Sequence, residues 1–574
     1  MNQPTPAIVA QSAVRRLPRI ALLLLCAAYL MPGLLGRGPW KSADITSFGF
    51  MAELAQTTEG MAGWFDPMLL GNRPETPALL PYWIGAWAIK IAPSWMTPDL
   101  AVRVAFALLL AGTFTATWYA VYYLARTPRA QPVAFAFGGE ARPTDYARAI
   151  ADGTLLALIA CLGLAQLGHE TTPALAQLFF ATQLFFGIAA LPYRRLGAFV
   201  ALVIGAVGLA LSGGPSVALM LGIGCVAIPV IERRQSVEAV EASPAYTHTQ
   251  IAAVLGTMLL AAALAVGLGL MHWKIDLPPA RRVFVEVRSQ ARLLLWFTWP
   301  AWPLALWTLW RWRRQLTARH VALPLWFALV PLMATWTTDF SERSLLLGLP
   351  PFATLAAFAL PTFRRSVAAL IDWFTLLFFS GSAIIIWVIW LSLQTGVPAK
   401  PAANVARLAP GFVPHFSGIA FFFALTATLA WAWLVRWRTG RHRAALWKTL
   451  VLPAGGAALC WMLLMTLWLP VLDYARSYAP QVHAISERVG QPECISELAL
   501  DQPHIAALRH HGNFNVMPLL GGPSCPWLLV SPEAIVRLHE LVNLEGWRLV
   551  GTLRRPTSPG DDLLLYQRIT RAGD

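Results

Sequence analysis

An unusually acidic stretch follows the first hydrophobic segment of the chain. From Arg37 to Tyr82 it reads RGPWKSADITSFGFMAELAQTTEGMAGWFDPMLLGNRPETPALLPY. The carboxylates of this stretch, with one that follows soon after, are Asp44, Glu53, Glu59, Asp66, Glu75 and Asp99. A positioned carboxylate can remove a proton from a reacting hydroxyl. Such a density of carboxylates in an otherwise apolar chain predicts a catalytic loop at a membrane surface.

Cations and further carboxylates lie in other loops that connect hydrophobic segments. The loop 272–290 is basic, the loop 338–343 carries Arg343, and the short turn near residue 170 contains His169 and Glu170. Guanidinium and ammonium groups bind phosphate. If these loops meet over one membrane face, they suit a reaction on an anionic, lipid-linked donor.

The composition predicts the elements that must position these loops. Of the 574 residues, 57% are hydrophobic and 13% are charged, whereas soluble domains carry roughly 25% charged residues. Apolar runs long enough to cross a bilayer core of roughly 30 Å recur along the chain, and they predict a polytopic α-helical membrane protein with a helix lying at the interface over 78–92. The thirteen candidate spans are 18–36, 101–124, 151–168, 174–192, 196–212, 215–231, 251–271, 291–310, 321–338, 344–361, 367–391, 416–435 and 446–470.

The distribution of basic residues predicts the orientation. In a soluble chain, a net charge of +15 would suggest nucleic acid as a partner. Here Lys and Arg form short clusters between spans, a pattern that indicates residues setting the orientation of the spans in the membrane rather than a nucleic-acid-binding surface. With the N-terminus in the cytoplasm, the cytoplasmic segments before residue 471 hold 22 Lys and Arg and the opposite segments hold 13. Thirteen spans then place the first loop, 37–100, and the C-terminal tail on the outer face.

The tail, 471–574, differs in composition from the transmembrane domain, 1–470. Its alternating stretches 527–531, 547–553 and 563–569 predict strands, with helical patterns between them. We therefore expect a small α/β domain outside the cytoplasm. Cys494 and Cys525 lie in this domain, and in an oxidising compartment they could form a disulfide.

Three short motifs and the predicted architecture resemble those of the GT-C superfamily of lipid-phosphate-sugar-dependent glycosyltransferases. The motifs are KSADITSFGFMAEL (41–54), GNRPETPALLPYW (71–83) and SERSLLLGLPPFATLAAF (341–358). Together with thirteen spans and an outer C-terminal domain, they are similar to the branch of bacterial aminoarabinose-lipid A transferases and protein O-mannosyltransferases. The resemblance implies a GT-C-like fold in a bacterial inner membrane, with the first loop and the C-terminal domain in the periplasm.

The resemblance also implies an activity. A sugar would pass from a polyprenyl-phosphate carrier, such as undecaprenyl phosphate, to a lipid, glycan or protein acceptor, with inversion at the anomeric carbon. Asp44 would be the general base and Glu170 a second catalytic carboxylate. Two simpler interpretations stay open: Asp44 as a surface carboxylate that caps a helix, and Glu170 as part of an exposed turn.

Two positions depart from the family's motifs. Ile45 stands where the family has Glu, and Thr76 stands where it has the phosphate-binding Lys. Other cations must then reach the phosphate. The predicted substrate-binding residues are Lys41, Arg73, Glu75, His169, His272, Lys274 and Arg343. A divalent metal between His272 and Glu75 is the weaker alternative, because two ligands in distant loops do not define a metal site, and no other cofactor is predicted.

Other functional classes remain open at this stage. A membrane transporter or lipid flippase would place ionisable residues at the bilayer midplane. In this chain such residues avoid the span centres, where each would cost about 2.5–3.5 kcal/mol, and this favours chemistry at the membrane surface. The departures at Ile45 and Thr76 keep a third possibility open, a non-catalytic GT-C-like assembly subunit.

Overall fold

The computed structural model describes residues 5–58, 60–237, 246–271, 283–337, 342–440, 445–520, 525–542, 544–558 and 560–569. The predicted substrate ligands His272 and Lys274 lie outside the described residues.

Most of the described chain is helical. Its first thirteen α-helices are α1 (Arg19–Leu30), α2 (Ala43–Gln56), α3 (Met61–Phe65), α4 (Leu80–Ile91), α5 (Pro98–Ala125), α6 (Pro143–Ala160), α7 (Leu162–Leu167), α8 (Pro173–Ala190), α9 (Arg195–Leu211), α10 (Pro215–Val237), α11 (His248–Gly267), α12 (Val283–Phe297) and α13 (Ala301–Arg311). The others are α14 (Arg319–Thr337), α15 (Glu342–Leu346), α16 (Leu349–Ala359), α17 (Arg365–Thr395), α18 (Ala399–Leu408), α19 (Gly418–Thr439), α20 (Lys448–Leu464), α21 (Leu469–Arg476), α22 (Ala479–Val489), α23 (Gln502–Gly512) and α24 (Ile535–Leu541).

Six of the described helices are long and apolar enough to cross a membrane, namely α5, α8, α10, α11, α17 and α19. The pair α20 and α21, bent by 70° at the break between them, would form a seventh span. Shorter apolar helices, α1, α9, α14 and α16, occupy four further predicted spans. The polytopic helical class is therefore confirmed, whereas the count of thirteen spans stays a prediction.

The chain ends in a small domain built on a five-stranded mixed sheet. Its strands are β1 (Ile495–Leu498), β2 (Val516–Pro518), β3 (Trp527–Val530), β4 (Trp547–Leu553) and β5 (Leu563–Arg568). They are arranged in the order β2-β1-β3-β5-β4, with β1 parallel to β2 and β3, and β5 antiparallel to β3 and β4. The predicted α/β character of this domain is confirmed.

A disulfide joins the residues that lead into two neighbouring strands of this sheet. Cys494 directly precedes β1 and Cys525 lies two residues before β3, with 5.3 Å between their Cα atoms. The hypothesised pairing of these two cysteines is confirmed. It links segments that are 31 residues apart in sequence.

Helix α2, which carries Asp44, packs between the membrane part and the C-terminal domain. It contacts α4 on one side and α23 on the other. The ring of Phe48 lies 4.6 Å, centroid to centroid, from that of His510 in α23. Close approach to α23 requires a glycine, since a Cβ atom at Gly49 would lie 2.6 Å from the Cβ of Ala506. The C-terminal domain thus helps to fix the position of α2.

We expect Gly49→Ala to destabilise the protein by about 1–3 kcal/mol, because the added methyl group must push two packed helices apart. The matched control is Gly256→Ala in α11, where a Cβ atom would meet nothing within 4 Å and where alanine favours the helix. Thermal unfolding of the purified protein in lipid would measure both. Equal midpoints for the two variants would contradict close packing of α2 on α23.

Candidate active site

Asp44 lies in the first turn of α2 and is 1% exposed. Its Oδ1 accepts hydrogen bonds from the amide (2.7 Å) and the hydroxyl (2.6 Å) of Thr171. Its Oδ2 accepts from the amide of Trp40 (3.1 Å) and from Nη1 of Arg37 (3.4 Å). The interpretation of Asp44 as a surface carboxylate is wrong, because four donors compensate for its removal from water.

Arg37 connects three separate segments around this carboxylate. Besides the contact with Asp44, its Nε donates to the carbonyl oxygen of Gly33 (2.9 Å) and its Nη2 donates to the carbonyl oxygen of His169. Its guanidinium also lies 4.8 Å from the ring centroid of Trp40. The side chain is 2% exposed, so Arg37 supplies the buried positive charge that offsets the Asp44 carboxylate.

Glu170 lies between α7 and α8 and is 2% exposed. Its Oε1 accepts a hydrogen bond from Gln166 (2.9 Å), and its Oε2 pairs with Nη2 of Arg343 in α15 (3.1 Å). Burial, and next the negative charge of Asp44, raise the pKa of Glu170, although Arg343 acts in the opposite direction. Glu170 is therefore not part of an exposed turn, and its charge and that of Asp44 interact.

His169 joins this turn to the helix before the first loop. Its two ring nitrogens lie 2.6 Å and 3.0 Å from the carbonyl oxygens of Ala165 and Tyr29, and its ring packs 4.7 Å from that of Trp461. Burial lowers its pKa to about 4, so the imidazole is neutral at neutral pH. Through these contacts, the His169 side chain holds the turn that carries Glu170 in place.

Other predicted ligands have partners away from the carboxylate pair. The ammonium of Lys41 lies 2.9 Å from the carboxylate of Asp561 in the C-terminal domain. Arg73 is exposed and pairs with Asp66 at 2.7 Å, and Glu75 is also exposed. The described residues contain no group of three or more His, Cys, Asp or Glu that could hold a metal ion.

The structure therefore brings together Asp44, Glu170, His169 and Arg343, which were predicted from sequence. It adds two residues that sequence reasoning missed, Arg37 and Thr171. Their positions in the sequence could have identified both: Arg37 is the first residue of the acidic stretch, and Thr171 directly follows Glu170. A predicted buried carboxylate requires nearby donors, and these two residues supply three of the four donors to Asp44.

Three features define the fold class: a helical membrane domain, a buried acidic site beside its first loop, and a small C-terminal sheet domain. The fold expected from the motifs is confirmed by solved structures that this chain resembles over almost its whole length.

Two such structures are crystal structures of ArnT from Cupriavidus metallidurans, one bound to undecaprenyl phosphate and one in the apo state. Their TM-scores are 0.57 and 0.59, and each match has 14% sequence identity and covers 96% of this chain and 97% of ArnT. A crystal structure of the Archaeoglobus fulgidus oligosaccharyltransferase matches with a TM-score of 0.43 and 11% identity, over 87% of this chain and 63% of that one. No family model and no curated protein matches the sequence.

The raised pKa of Glu170 predicts the sign of a pH effect on stability. The folded protein binds the proton of the Glu170 carboxyl group more tightly than the unfolded chain does, because the pKa of Glu170 is raised on folding. The stabilisation that this proton adds to the folded state is fully present below the pKa of an exposed glutamate, about 4.3. It is lost as the pH rises through the raised pKa of the folded protein. We expect the wild type to lose thermal stability relative to Glu170→Gln over that window. Unfolding midpoints from about pH 4 to about pH 7.5 would test this.

The matched control for this comparison is Glu75→Gln, since Glu75 is exposed in the same protein. Its profile should run parallel to that of the wild type. Parallel wild-type and Glu170→Gln profiles would contradict a raised pKa at Glu170.

Proposed function

We propose that this protein is a membrane glycosyltransferase. It transfers a sugar from a polyprenyl-phosphate carrier to a lipid, glycan or protein acceptor, with inversion at the anomeric carbon. The observation that carries the proposal is the buried carboxylate pair, Asp44 and Glu170, which is bonded to Arg37 and Arg343 beside the first loop. Likeness to ArnT, which was crystallised with undecaprenyl phosphate, favours this class of donor.

Asp44 is the proposed general base. As the acceptor oxygen forms its bond to the anomeric carbon, Asp44 takes the proton of the acceptor hydroxyl, and the bond from the anomeric carbon to the phosphate oxygen breaks. Three of the four hydrogen bonds to Asp44 come from backbone amides or from Arg37. The fourth comes from the hydroxyl of Thr171, and an acceptor hydroxyl can take its place without leaving a backbone group unpaired.

Arg343 is the proposed ligand of the leaving phosphate. Its side chain is 33% exposed, while its partner Glu170 is 2% exposed. The Arg343 side chain is therefore in contact both with the buried Glu170 and with solvent. A guanidinium can bind two oxygens of a phosphate at once. In this mechanism Glu170 orients Arg343 before the donor arrives.

Replacing the base should slow transfer greatly. We expect Asp44→Asn to lower the rate of sugar transfer by about 10²–10⁴-fold, the usual contribution of a positioned general base. Protein reconstituted in lipid would be supplied with a panel of polyprenyl-phosphate sugars, and product formation would be measured. Transfer by Asp44→Asn at the wild-type rate would remove Asp44 as the base, and no transfer by the wild type with any donor would count against the proposed function.

Because Asp44 also accepts structural hydrogen bonds, each variant needs a test of folding. Thermal unfolding and binding of a polyprenyl phosphate serve this purpose. Asp66→Asn is the matched control in the same loop, since the Asp66 side chain is 41% exposed and contacts the exposed Arg73. It should transfer sugar at the wild-type rate.

The proposal places the site and the C-terminal domain in the periplasm of a bacterial cell, with the N-terminus in the cytoplasm. The Cys494–Cys525 disulfide supports this orientation, because disulfides persist in oxidising compartments. The excess of Lys and Arg in the opposite loops supports it as well.

Labelling of single introduced cysteines would test the orientation. In intact inner-membrane spheroplasts, a membrane-impermeant maleimide should label Glu487→Cys, because the Glu487 side chain is 66% exposed on the C-terminal domain. It should label Arg313→Cys, between α13 and α14, only after the membrane is permeabilised. The reverse pattern would contradict the proposed topology.

A further inference from the structure

The carboxylate of Asp473 in α21 accepts two hydrogen bonds from the segment that leads into α2. Its Oδ1 accepts from the indole nitrogen of Trp40 (2.8 Å) and from the backbone amide of Gly38 (3.1 Å). Asp473 lies 433 residues after Trp40 in sequence, just beyond the last predicted span. These two hydrogen bonds therefore join the end of the membrane domain to the start of the first loop.

Trp40 connects the Asp473 carboxylate with that of Asp44. Its indole nitrogen donates to Asp473, and its backbone amide donates to Oδ2 of Asp44 (3.1 Å). Its carbonyl oxygen accepts a hydrogen bond from the amide of Ile45 in α2 (2.9 Å), so Trp40 is bonded to the start of that helix as well. Trp40 is 2% exposed. A shift of its buried indole would therefore move a donor to the Asp44 carboxylate.

Two arginines pack against the indole ring of Trp40. The guanidinium carbons of Arg37 and Arg476 lie 4.8 and 5.5 Å from the ring centroid. Arg37 is the second donor to Oδ2 of Asp44 (3.4 Å), and its positive charge also interacts with the Asp473 carboxylate. The position of the indole thus affects both groups that donate to this oxygen of Asp44.

The backbone before α2 needs contacts from outside to keep one conformation. Gly33 and Gly36 have φ angles of 85° and 79°, and glycine loses more conformational freedom on ordering than any other residue. Contacts with other parts of the fold must offset this entropy. Besides the bonds to Asp473, the amide of Lys41 donates to the carbonyl oxygen of Arg476 (2.8 Å). Helix α21 therefore supplies the acceptors for three hydrogen bonds from this segment.

We propose that Asp473 is a positioning residue for the general base Asp44. It holds the indole of Trp40 and the amide of Gly38, so that Trp40 and Arg37 donate to Oδ2 of Asp44 in a fixed geometry. The assignment rests on the proposed glycosyl transfer, in which Asp44 takes the proton of the acceptor hydroxyl. A base held in one orientation needs little reorganisation when that proton arrives.

An acceptor oxygen at position 473 should be enough for this role. In reconstituted protein we expect Asp473→Ala to lower kcat for sugar transfer by about 10–100-fold, since a misplacement of about 1 Å can cost about 10²-fold in rate. The KM for the donor should stay unchanged. Asp473→Asn should stay within about threefold of the wild-type kcat, because its amide oxygen can accept both hydrogen bonds. An unchanged kcat in Asp473→Ala, or equal losses in the two variants, would overturn the positioning role.

A second comparison tests whether Asp473 acts through Trp40. Trp40→Phe removes the indole N–H but keeps an aromatic ring and the backbone amide. Alone it should lower kcat, and in Asp473→Ala it should add no further loss, because both changes remove the same hydrogen bond. Additive losses would overturn the proposed route through Trp40.

Asp372→Ala is the matched control for a purely structural effect. The Asp372 side chain is 21% exposed and pairs with Arg438 at 2.6 Å, between α17 and α19. Loss of this ion pair should lower the unfolding midpoint and leave kcat unchanged. A fall in kcat in Asp372→Ala that matches the fall in Asp473→Ala would overturn a specific role for Asp473.

Hydrogen exchange reports on the segment without any substrate. In the peptide 37–44, the amides of Gly38 and Trp40 should exchange about tenfold faster in Asp473→Ala than in the wild type or Asp473→Asn, because Asp473 no longer restrains them. If Asp473→Ala does not fold, Trp40→Phe takes its place, with exchange measured at Gly38. Faster exchange without transfer by the wild type would count against the glycosyltransferase and support the restraint by Asp473. Transfer by the wild type with unchanged exchange would do the reverse.

Discussion

The burial of one ionised carboxylate constrains the architecture of the site. Asp44 is 1% exposed, and an uncompensated charge at such a position would cost many kcal/mol. Its compensation comes from two places far apart in sequence: Arg37 and Trp40 directly before α2, and Thr171 after α7. The acidic stretch and the turn before α8 must therefore meet, and Glu170 and Arg343 come into position with them. The same geometry suits a base, because a fixed carboxylate needs little reorganisation when a proton arrives.

Much of the fold follows from local patterns. The apolar runs predicted most helices of the membrane domain, although the runs 151–168 and 291–310 are each divided between two helices, α6 with α7 and α12 with α13. Alternating apolar residues predicted β3, β4 and β5 within a residue or two. Strands β1 and β2 were missed for physical reasons. Ile495–Leu498 contains Ser and Glu, and Val516–Pro518 is three residues long and ends in proline. Both are held by pairing with neighbouring strands rather than by their own propensity.

Part of the candidate site was predicted from sequence, but Arg37, Thr171 and the burial of its carboxylates were missed. A resemblance of motifs was enough to single out Asp44, Glu170 and Arg343. The simpler interpretations of both carboxylates assumed exposure to solvent, since a lone Asp or Glu is rarely buried. Their burial depends on Arg37 and Arg343, which are 7 and 173 residues away from their partners in sequence. The sequence carries little information about which residues pair when they are 173 residues apart, as Glu170 and Arg343 are.

Packing of α2 against α23 has a consequence for how the protein is made. More than 450 residues separate Gly49 from Ala506, yet in the finished fold a Cβ atom at Gly49 would lie 2.6 Å from the Cβ of Ala506. At a synthesis rate of about 5–20 residues per second, α2 emerges from the ribosome roughly 20–90 s before its partner helix exists. During that interval the apolar side of α2 that later meets α23 is without its native cover. The helices of the membrane part are therefore synthesised before the contact between α2 and α23 can form.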